Sequence, residues 1–387
     1  MKATKICIVT GSRSEFGLLT PLLIALKNDP DFNLQLLVTG MHLSPEFGNT
    51  YTEIESLGFI IDEKIDMLLS ADTDTAIAKS MGLGFIGYAD AFDRLQPDWL
   101  LVLGDRFETF AAATTAYMKK IPIAHLHGGE VTAGATDEAL RHSITKMSAL
   151  HFTSTEEYRK RVMQLGEHQD VVFNVGAIGL DNIRELSLLD KAELEKALNF
   201  SLAEDVILVT FHPVTLERIS SKEQMQELLD ALDSFGKGRI IFTMPNADAG
   251  GRPLRHSIKK FTEDHKDRST YFESLGQLKY LSLMKYSAAI VGNSSSGIIE
   301  APSLGVPSIN IGDRQKGRVT PASVIQCAPQ KSSILDALKK AFDVNFRMFC
   351  KNVQTPYGDG HAVERIVSVL KKNILPTEAK KQFIDRI

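Results

Sequence analysis

Short apolar runs and stretches of helical spacing alternate along the whole chain. Lys5–Thr10 is a β-rich run, the residues 11–17 (GSRSEFG) form a small-residue turn, and Leu18–Lys27 has helical spacing. Leu34–Thr39 reads as the next strand and ends at Gly40-Met41-His42. Helical spacing over Asn49–Leu57, an extended Lys64–Leu68 and a long helix over Thr75–Arg94 follow. Trp99–Gly104 and Ile121–His127 are further strands, each running into glycine and acidic residues, and Asp137 opens a helix that carries Arg141 and His142. After strand Leu150–Ser154, helix Glu156–Leu165 and strand Val171–Val175, the charged Asp181–Phe200 predicts one amphipathic helix. The pattern then restarts, with strands at Val206–Phe211, Arg239–Met244, Ala288–Gly292 and Val306–Ile311 and a helix over Ser221–Phe235.

Strands separated by helices pair in parallel through crossovers. The fold class is therefore α/β, with two doubly wound Rossmann-like domains facing across a cleft. A chain of 387 residues exceeds one ordinary core. The expected N-terminal domain spans 1–178, with the C-terminal helix of 361–387 packed on it, and the C-terminal domain spans 179–360.

Composition narrows the function classes. Hydrophobic residues make up 43% and charged residues 24%, values of a soluble globular protein. The formal net charge is −4 with no basic tail, which argues against nucleic acid as a partner. No apolar run is long enough to span a membrane, and the one at the N-terminus falls short of the roughly 7 residues of a signal-peptide core. Cys7, Cys327 and Cys350 are widely spaced, without metal-ligand or redox pairing, so the cytoplasm is the expected location.

Candidate chemistry collects where strands stop, the edge at which parallel sheets bind ligands. Asp105 and Arg106 follow one strand, Glu130 follows another, and Asp137 begins a helix. Taken singly, Asp105 reads as a helix cap and Asp137 as the partner of Arg141 one turn on. Together they are the material of general acid–base catalysis. Asn293–Gly297 (NSSSG) is an anion site, because free N–H groups and the helix dipole converge at such a turn. Arg13 in the 11–17 turn is a second candidate for a phosphate. Gly82–Gly87 fits GxGxxG, but a helical stretch precedes it rather than a strand, so close packing of two helices is the better reading. His125 and His127 share one face of a strand, a spacing that suits a metal, although one structural and one active-site histidine is the preferred reading. His42 and His212 also lie at strand ends. His256 and His265 read as solvated.

These residues resemble a known family, the hydrolysing UDP-N-acetylglucosamine 2-epimerases of sialic-acid synthesis. The resemblance rests on GSRSEFG, TGMHLSPEFGNTY, LGDRFE, HLHGGE, DEALRHSITKMS, TSTEEYRKRVMQLGE, FHPVT, GNSSSGIIE, INIGDRQKGR and YGDG, in that order. It implies the B-type glycosyltransferase fold, a UDP-sugar as ligand, no metal or other cofactor, and a homodimer or homotetramer. It also implies that Ser294 and Ser295 hold the diphosphate with Arg13 and His212. Glu300 would bind the ribose, and Asn246, Asp248 and Arg314 would complete the nucleotide side. The sugar would face the catalytic set Asp105, Glu130, Asp137, His42 and His127, with Arg106. Several hydrolysing relatives carry Glu where this chain has His127, so that residue's role does not transfer. Either His127 takes it over or Glu130 and Asp137 suffice. The implied reaction converts UDP-N-acetylglucosamine and water to N-acetylmannosamine and UDP through 2-acetamidoglucal. UDP-2,4-diacetamido-2,4,6-trideoxyglucose is the alternative substrate. A B-type glycosyltransferase and a non-catalytic nucleotide-sugar-binding protein are the alternatives of other classes.

Overall fold

The computed structural model describes residues 3–71, 73–131, 137–203, 205–214, 220–245, 251–372 and 381–385. The chain forms two compact units. The first comprises 1–130, 136–182 and 357–387, and the second comprises 131–135 and 183–356.

The elements of the first unit are β1 (Thr4–Thr10), α1 (Arg13–Asn28), β2 (Phe32–Thr39), α2 (Tyr51–Ser56), β3 (Glu63–Ile65), α3 (Asp74–Leu95), β4 (Trp99–Leu103), α4 (Phe107–Met118), β5 (Ile123–Leu126), α5 (Asp137–Met147), β6 (Leu150–Thr153), α6 (Glu156–Gln164) and β7 (Val172–Asn174). Its seven strands are parallel, in the order β3-β2-β1-β4-β5-β6-β7. Alternation along β1 splits the core by face. Ile6 and Ile8 join the α1 side with Leu19, Leu22 and Leu23, whereas Cys7 and Val9 join the α3 and α4 side with Tyr88, Phe92 and Ala112.

α7 (Gly179–Glu185) leads into the second unit, which contains α8 (Lys191–Leu198), β8 (Val206–Thr210), α9 (Ser221–Phe235), β9 (Arg239–Thr243), α10 (Gly251–Asp264), β10 (Ser269–Phe272), α11 (Gly276–Tyr286), β11 (Ser287–Gly292), α12 (Ser296–Ser303), β12 (Ser308–Ile311), β13 (Val324–Cys327), α13 (Lys331–Ala341) and α14 (Val344–Cys350). Six parallel strands run β10-β9-β8-β11-β12-β13. The last helix, α15 (Ala362–Lys371), returns to the first unit, where buried Asp181 accepts the Ala362 and Val363 N–H groups at 3.0 and 2.9 Å.

Three local readings change. The single helix expected over 181–200 is two, because Asp190 and Glu193 form a capping box that starts α8 afresh. The 11–17 turn is shorter than its small residues suggest: Ser12 caps α1, which begins at Arg13 and includes Gly17. Gly84 and Gly87 lie inside α3 and make room chiefly for Met67 and Ile65, whose atoms a Cβ would meet at 2.8 and 2.6 Å, so the close partner is mainly β3 and its extension.

Candidate active site

In each sheet the connections reverse direction at one strand pair, β1/β4 and β8/β11, and a doubly wound sheet binds its ligand at that switch point. In the first unit the loops there are 11–12 and 104–106. Asp105 does not cap α4; the cap position is Arg106, whose side chain makes no capping hydrogen bond. Asp105 instead accepts from Arg141, a buried residue of α5, whose other nitrogen donates to the Glu130 carbonyl at 2.6 Å. Arg141 thus ties the loop after β4 to the loop after β5. Asp137 is exposed at the first position of α5.

The two histidines of HLH do not share a strand face. β5 ends at Leu126, and His127 turns away with φ +64°. His127 Nδ1 lies 3.0 Å from Glu130 Oε1, and its Nε2 accepts the Ile178 N–H at 3.4 Å. An accepting Nε2 puts the proton on Nδ1, so His127 donates to Glu130. Ser154 donates to the same carboxylate oxygen at 2.7 Å. His125 is fully buried, with Nε2 2.8 Å from the Gly104 carbonyl and Nδ1 3.2 Å from Thr145 Oγ1. Burial pushes its pKa down to about 3, so it serves as a neutral strut under the 104–106 loop. Among the described residues no three His, Cys, Asp or Glu side chains are grouped to hold a metal. His42 is also buried, between Thr10 and Thr50 hydroxyls at 3.1 and 2.7 Å, and burial lowers it to about 4. Arg13 is paired with Glu53 at 3.1 Å. Arg106 forks onto Glu108 at 3.2 and 3.3 Å.

In the second unit Gly292 has φ +143°, and a Cβ there would collide with the Thr210 carbonyl oxygen. The ends of β11 and β8 therefore approach as closely as backbone allows. Buried Asn293 bridges them, accepting from the His212 N–H at 2.7 Å and donating to the His212 carbonyl at 2.9 Å. Arg314 and Gln315 in turn donate to the Asn293 carbonyl at 3.0 and 2.9 Å. Ser295 occupies the cap position of α12 without a side-chain cap bond, and Ser294 accepts from Ser296 Oγ at 3.0 Å. A small cavity at this turn is lined by Thr210, Gly292, Ser294, Gly297, Ser308 and Asn310. Glu300 lies one turn into α12 and is partly buried. Asn246 and Asp248 lie outside the described residues.

A sequence model described as UDP-N-acetylglucosamine 2-epimerase matches residues 24–371. The chain belongs to the UDP-N-acetylglucosamine 2-epimerase family. It is 42% identical over 386 residues to the GDP/UDP-N,N'-diacetylbacillosamine 2-epimerase (hydrolyzing) of Campylobacter jejuni, covering 100% of both chains. It is 43% identical over 368 residues to the polysialic acid biosynthesis protein P7 of Escherichia coli, covering 95% of this chain and 93% of that one. Among solved structures, the Neisseria meningitidis UDP-GlcNAc 2-epimerase bound to UDP-GlcNAc superposes with a TM-score of 0.79 at 20% identity, over 96% of this chain and 100% of that one. The fold is that of this 2-epimerase family: two α/β domains with parallel sheets, of the B-type glycosyltransferase kind.

Within this family fold, sequence reasoning missed the polar residues that hold the loops. Asn293, Gln315, Arg141, Ser154, Glu15 and Glu108 belong here by their contacts. Each lies within a motif string quoted above, and Arg141 is read there as the partner of Asp137, but none of those strings shows the contact that holds its loop.

Proposed function

We propose that this protein is a hydrolysing 2-epimerase of UDP-2,4-diacetamido-2,4,6-trideoxyglucose, releasing UDP and the free sugar inverted at C2. The sequence favours UDP-N-acetylglucosamine through the polar Ser44, Glu46, Asn49 and Thr132 in the 42–51 and 130–137 stretches and through the likeness of TSTEEYRKRVMQLGE to sialic-acid-pathway enzymes. The end-to-end match to a hydrolysing diacetylbacillosamine 2-epimerase weighs the other way. UDP-N-acetylglucosamine remains the second reading, favoured by the equally similar polysialic acid protein.

The observation that carries the reaction class is Asp105 held by buried Arg141, which also grips the Glu130 carbonyl. Elimination needs a base positioned at the C2 proton while the bond from C1 to the UDP oxygen breaks. Asp105 serves as one proton-transfer group. Inversion at C2 needs a second group on the other ring face, and Asp137 supplies it. Glu130 and His127 act as the support that fixes the loop after β5, since both nitrogens of His127 are engaged within the protein. The diphosphate goes to the second unit, at Ser294 and Ser295, with His212, Glu300 and Arg314 around it. The free N–H groups and dipole at the start of α12 stabilise the charge that develops on departing UDP. Water then adds at C1 as a proton returns to C2. Every step is a proton transfer or the cleavage or formation of a C–O bond, with no change of oxidation state overall, so the reading includes no metal or redox cofactor. The same reading makes the protein a cytoplasmic homodimer or homotetramer; among the described residues no helix is long and apolar enough to cross a membrane.

Incubation with each UDP-sugar in deuterated water tests this. Release of UDP and a C2-inverted free sugar carrying deuterium at C2 is the expected result. A kcat/KM at least about ten-fold higher for the 4-acetamido-6-deoxy substrate, about 1.4 kcal/mol in transition-state binding, decides between the sugars. Retention of the original hydrogen at C2 excludes elimination.

A further inference from the structure

Two buried carboxylates lie behind the 11–13 turn, and neither has a part in the reaction above. Glu15, 7% exposed in the first turn of α1, accepts the Gly11 N–H at 2.6 Å through one oxygen and the Thr109 hydroxyl at 3.5 Å through the other. Glu108, 1% exposed in the first turn of α4, takes the Arg106 fork. Glu108 is wedged against two backbones: a Cβ on Gly40 would meet its Oε1 at 2.9 Å, and one on Gly11 its side chain at 3.5 Å. Its carbonyl also accepts from the buried Tyr88 hydroxyl at 3.1 Å. The loops after β1, β2 and β4 are thus packed around one acidic pair and one arginine.

We propose that Glu15 is a positioning residue that, together with Glu108, holds Arg106 and the 11–13 turn at the ends of β1 and β4, and that the charge on Glu15 sets how well this edge accepts an anionic substrate. The inference rests on the UDP-sugar reading for its kinetic readout only.

The charged and titratable groups around Glu15 are few. Arg106 and Glu108 face it from α4 and its cap, Arg13 is on its own helix, His42 lies on the turn after β2, and Tyr88 lies on α3. Burial keeps His42 neutral near pH 7 and pushes Tyr88 well above its usual range, so neither changes charge there. Burial raises Glu15 to about 7, with the Gly11 N–H and Arg106 opposing and Glu108 adding to the rise. Below that pH Glu15 is neutral; above it, Glu15 adds one negative charge beside Arg106 and Glu108, which makes the edge less favourable to an anion.

The test is the pH dependence of the steady-state constants for the full-length enzyme and for Glu15→Gln. The amide keeps an acceptor for the Gly11 N–H and never ionises. For the wild type, KM for the UDP-sugar is expected to rise about three- to ten-fold from pH 6 to pH 8, the most one ionisation gives being ten-fold per unit, while kcat follows weakly. Glu15→Gln is expected to show a flat KM at the low wild-type value. A residue that only stabilised the fold would change the melting temperature and leave the KM profile as it was; that outcome overturns the proposal. Carbon-13 NMR of the glutamate carboxyls reads the titration without activity: one resonance with a midpoint near 7 is expected, absent from Glu15→Gln. Its absence from the wild type overturns the proposal whether or not the UDP-sugar is turned over. A titrating Glu15 in a protein inert toward both sugars fails the functional reading alone. Should Glu15→Gln not fold, Glu15→Asp keeps the charge and loses reach to Gly11; a KM midpoint identical to the wild type would then count against the proposal.

Discussion

Arg141 and Asn293 do the same job in the two units: each is a buried polar side chain that fixes a loop at a sheet's switch point. Asp105→Asn keeps the volume and removes the carboxylate. Turnover is expected to fall at least ~100-fold, the lower end for an acid–base group, with UDP affinity measured by calorimetry unchanged. Ser294→Ala acts the other way. Loss of one hydrogen bond to a charged group weakens UDP binding by about 1–2 kcal/mol, read as a higher Kd with kcat at saturation largely kept. Asp105 and Ser294 were legible because a charged or hydroxyl residue directly after an apolar run lands at the ligand edge of a parallel sheet. The Asp105–Arg141 pair was not legible as a pair. It joins positions 36 apart across α4, β5 and the start of α5, while helical spacing points Arg141 at Asp137.

At the scale of elements, two devices can be tested. Gly292→Ala puts a Cβ into the Thr210 carbonyl at a φ of +143°, a conformation closed to alanine. The ends of β8 and β11 must separate, so calorimetry is expected to show no UDP binding, and the melting temperature is expected to drop. The second device is the segment 381–385, which docks on the end of α5. Lys381 donates to the Thr145 and Lys146 carbonyls at 3.0 and 2.9 Å and pairs with buried Glu167 at 2.7 Å. Ile384 N–H bonds to the Gly166 carbonyl at 3.0 Å, and the Phe383 ring rests against Gly166. Burial by itself raises the Glu167 carboxyl, but His151, Lys146 and Lys381 together bring it down to about 2. A depressed carboxylate contributes stability that is present above its unfolded value near 4.5 and is lost as pH falls toward 2. Glu167→Gln is therefore expected to melt lower than the wild type at pH 7, with the gap closing as the pH approaches 2.

As a whole molecule the chain is two units with separate cores, and the first is discontinuous. Ile366 and Val369 of α15 are buried in the same cluster as Leu19 and Leu23 of α1, and Asp181 is bonded to the start of α15. The second unit's clusters draw on residues 189–346 alone. Residues 183–356 expressed separately are expected to unfold cooperatively and to bind UDP. Residues 1–182 without 357–387 are expected to lack a cooperative transition by circular dichroism, because the part of the α1-side core that α15 covers is left open.

The sequence by itself determined the alternation of strands and helices, and with it the parallel sheets and the edge at which polar residues gather. Periodicity and turn chemistry are local, and a parallel sheet places every strand end on one side whatever the strand order. The ordered motifs also carried the family. Tertiary structure decided which polar residues answer one another. His125 became a neutral strut and His127 left its strand because neighbours that bury or bond them, Gly104, Thr145 and Ile178, come from other parts of the chain. Glu15 and Glu108 looked like first-turn acids of two ordinary helices. They became a buried pair only when β1 and β4 aligned in register and brought α1 and α4 together. Such contacts depend on side-chain direction and burial across the sheet, which no local pattern encodes.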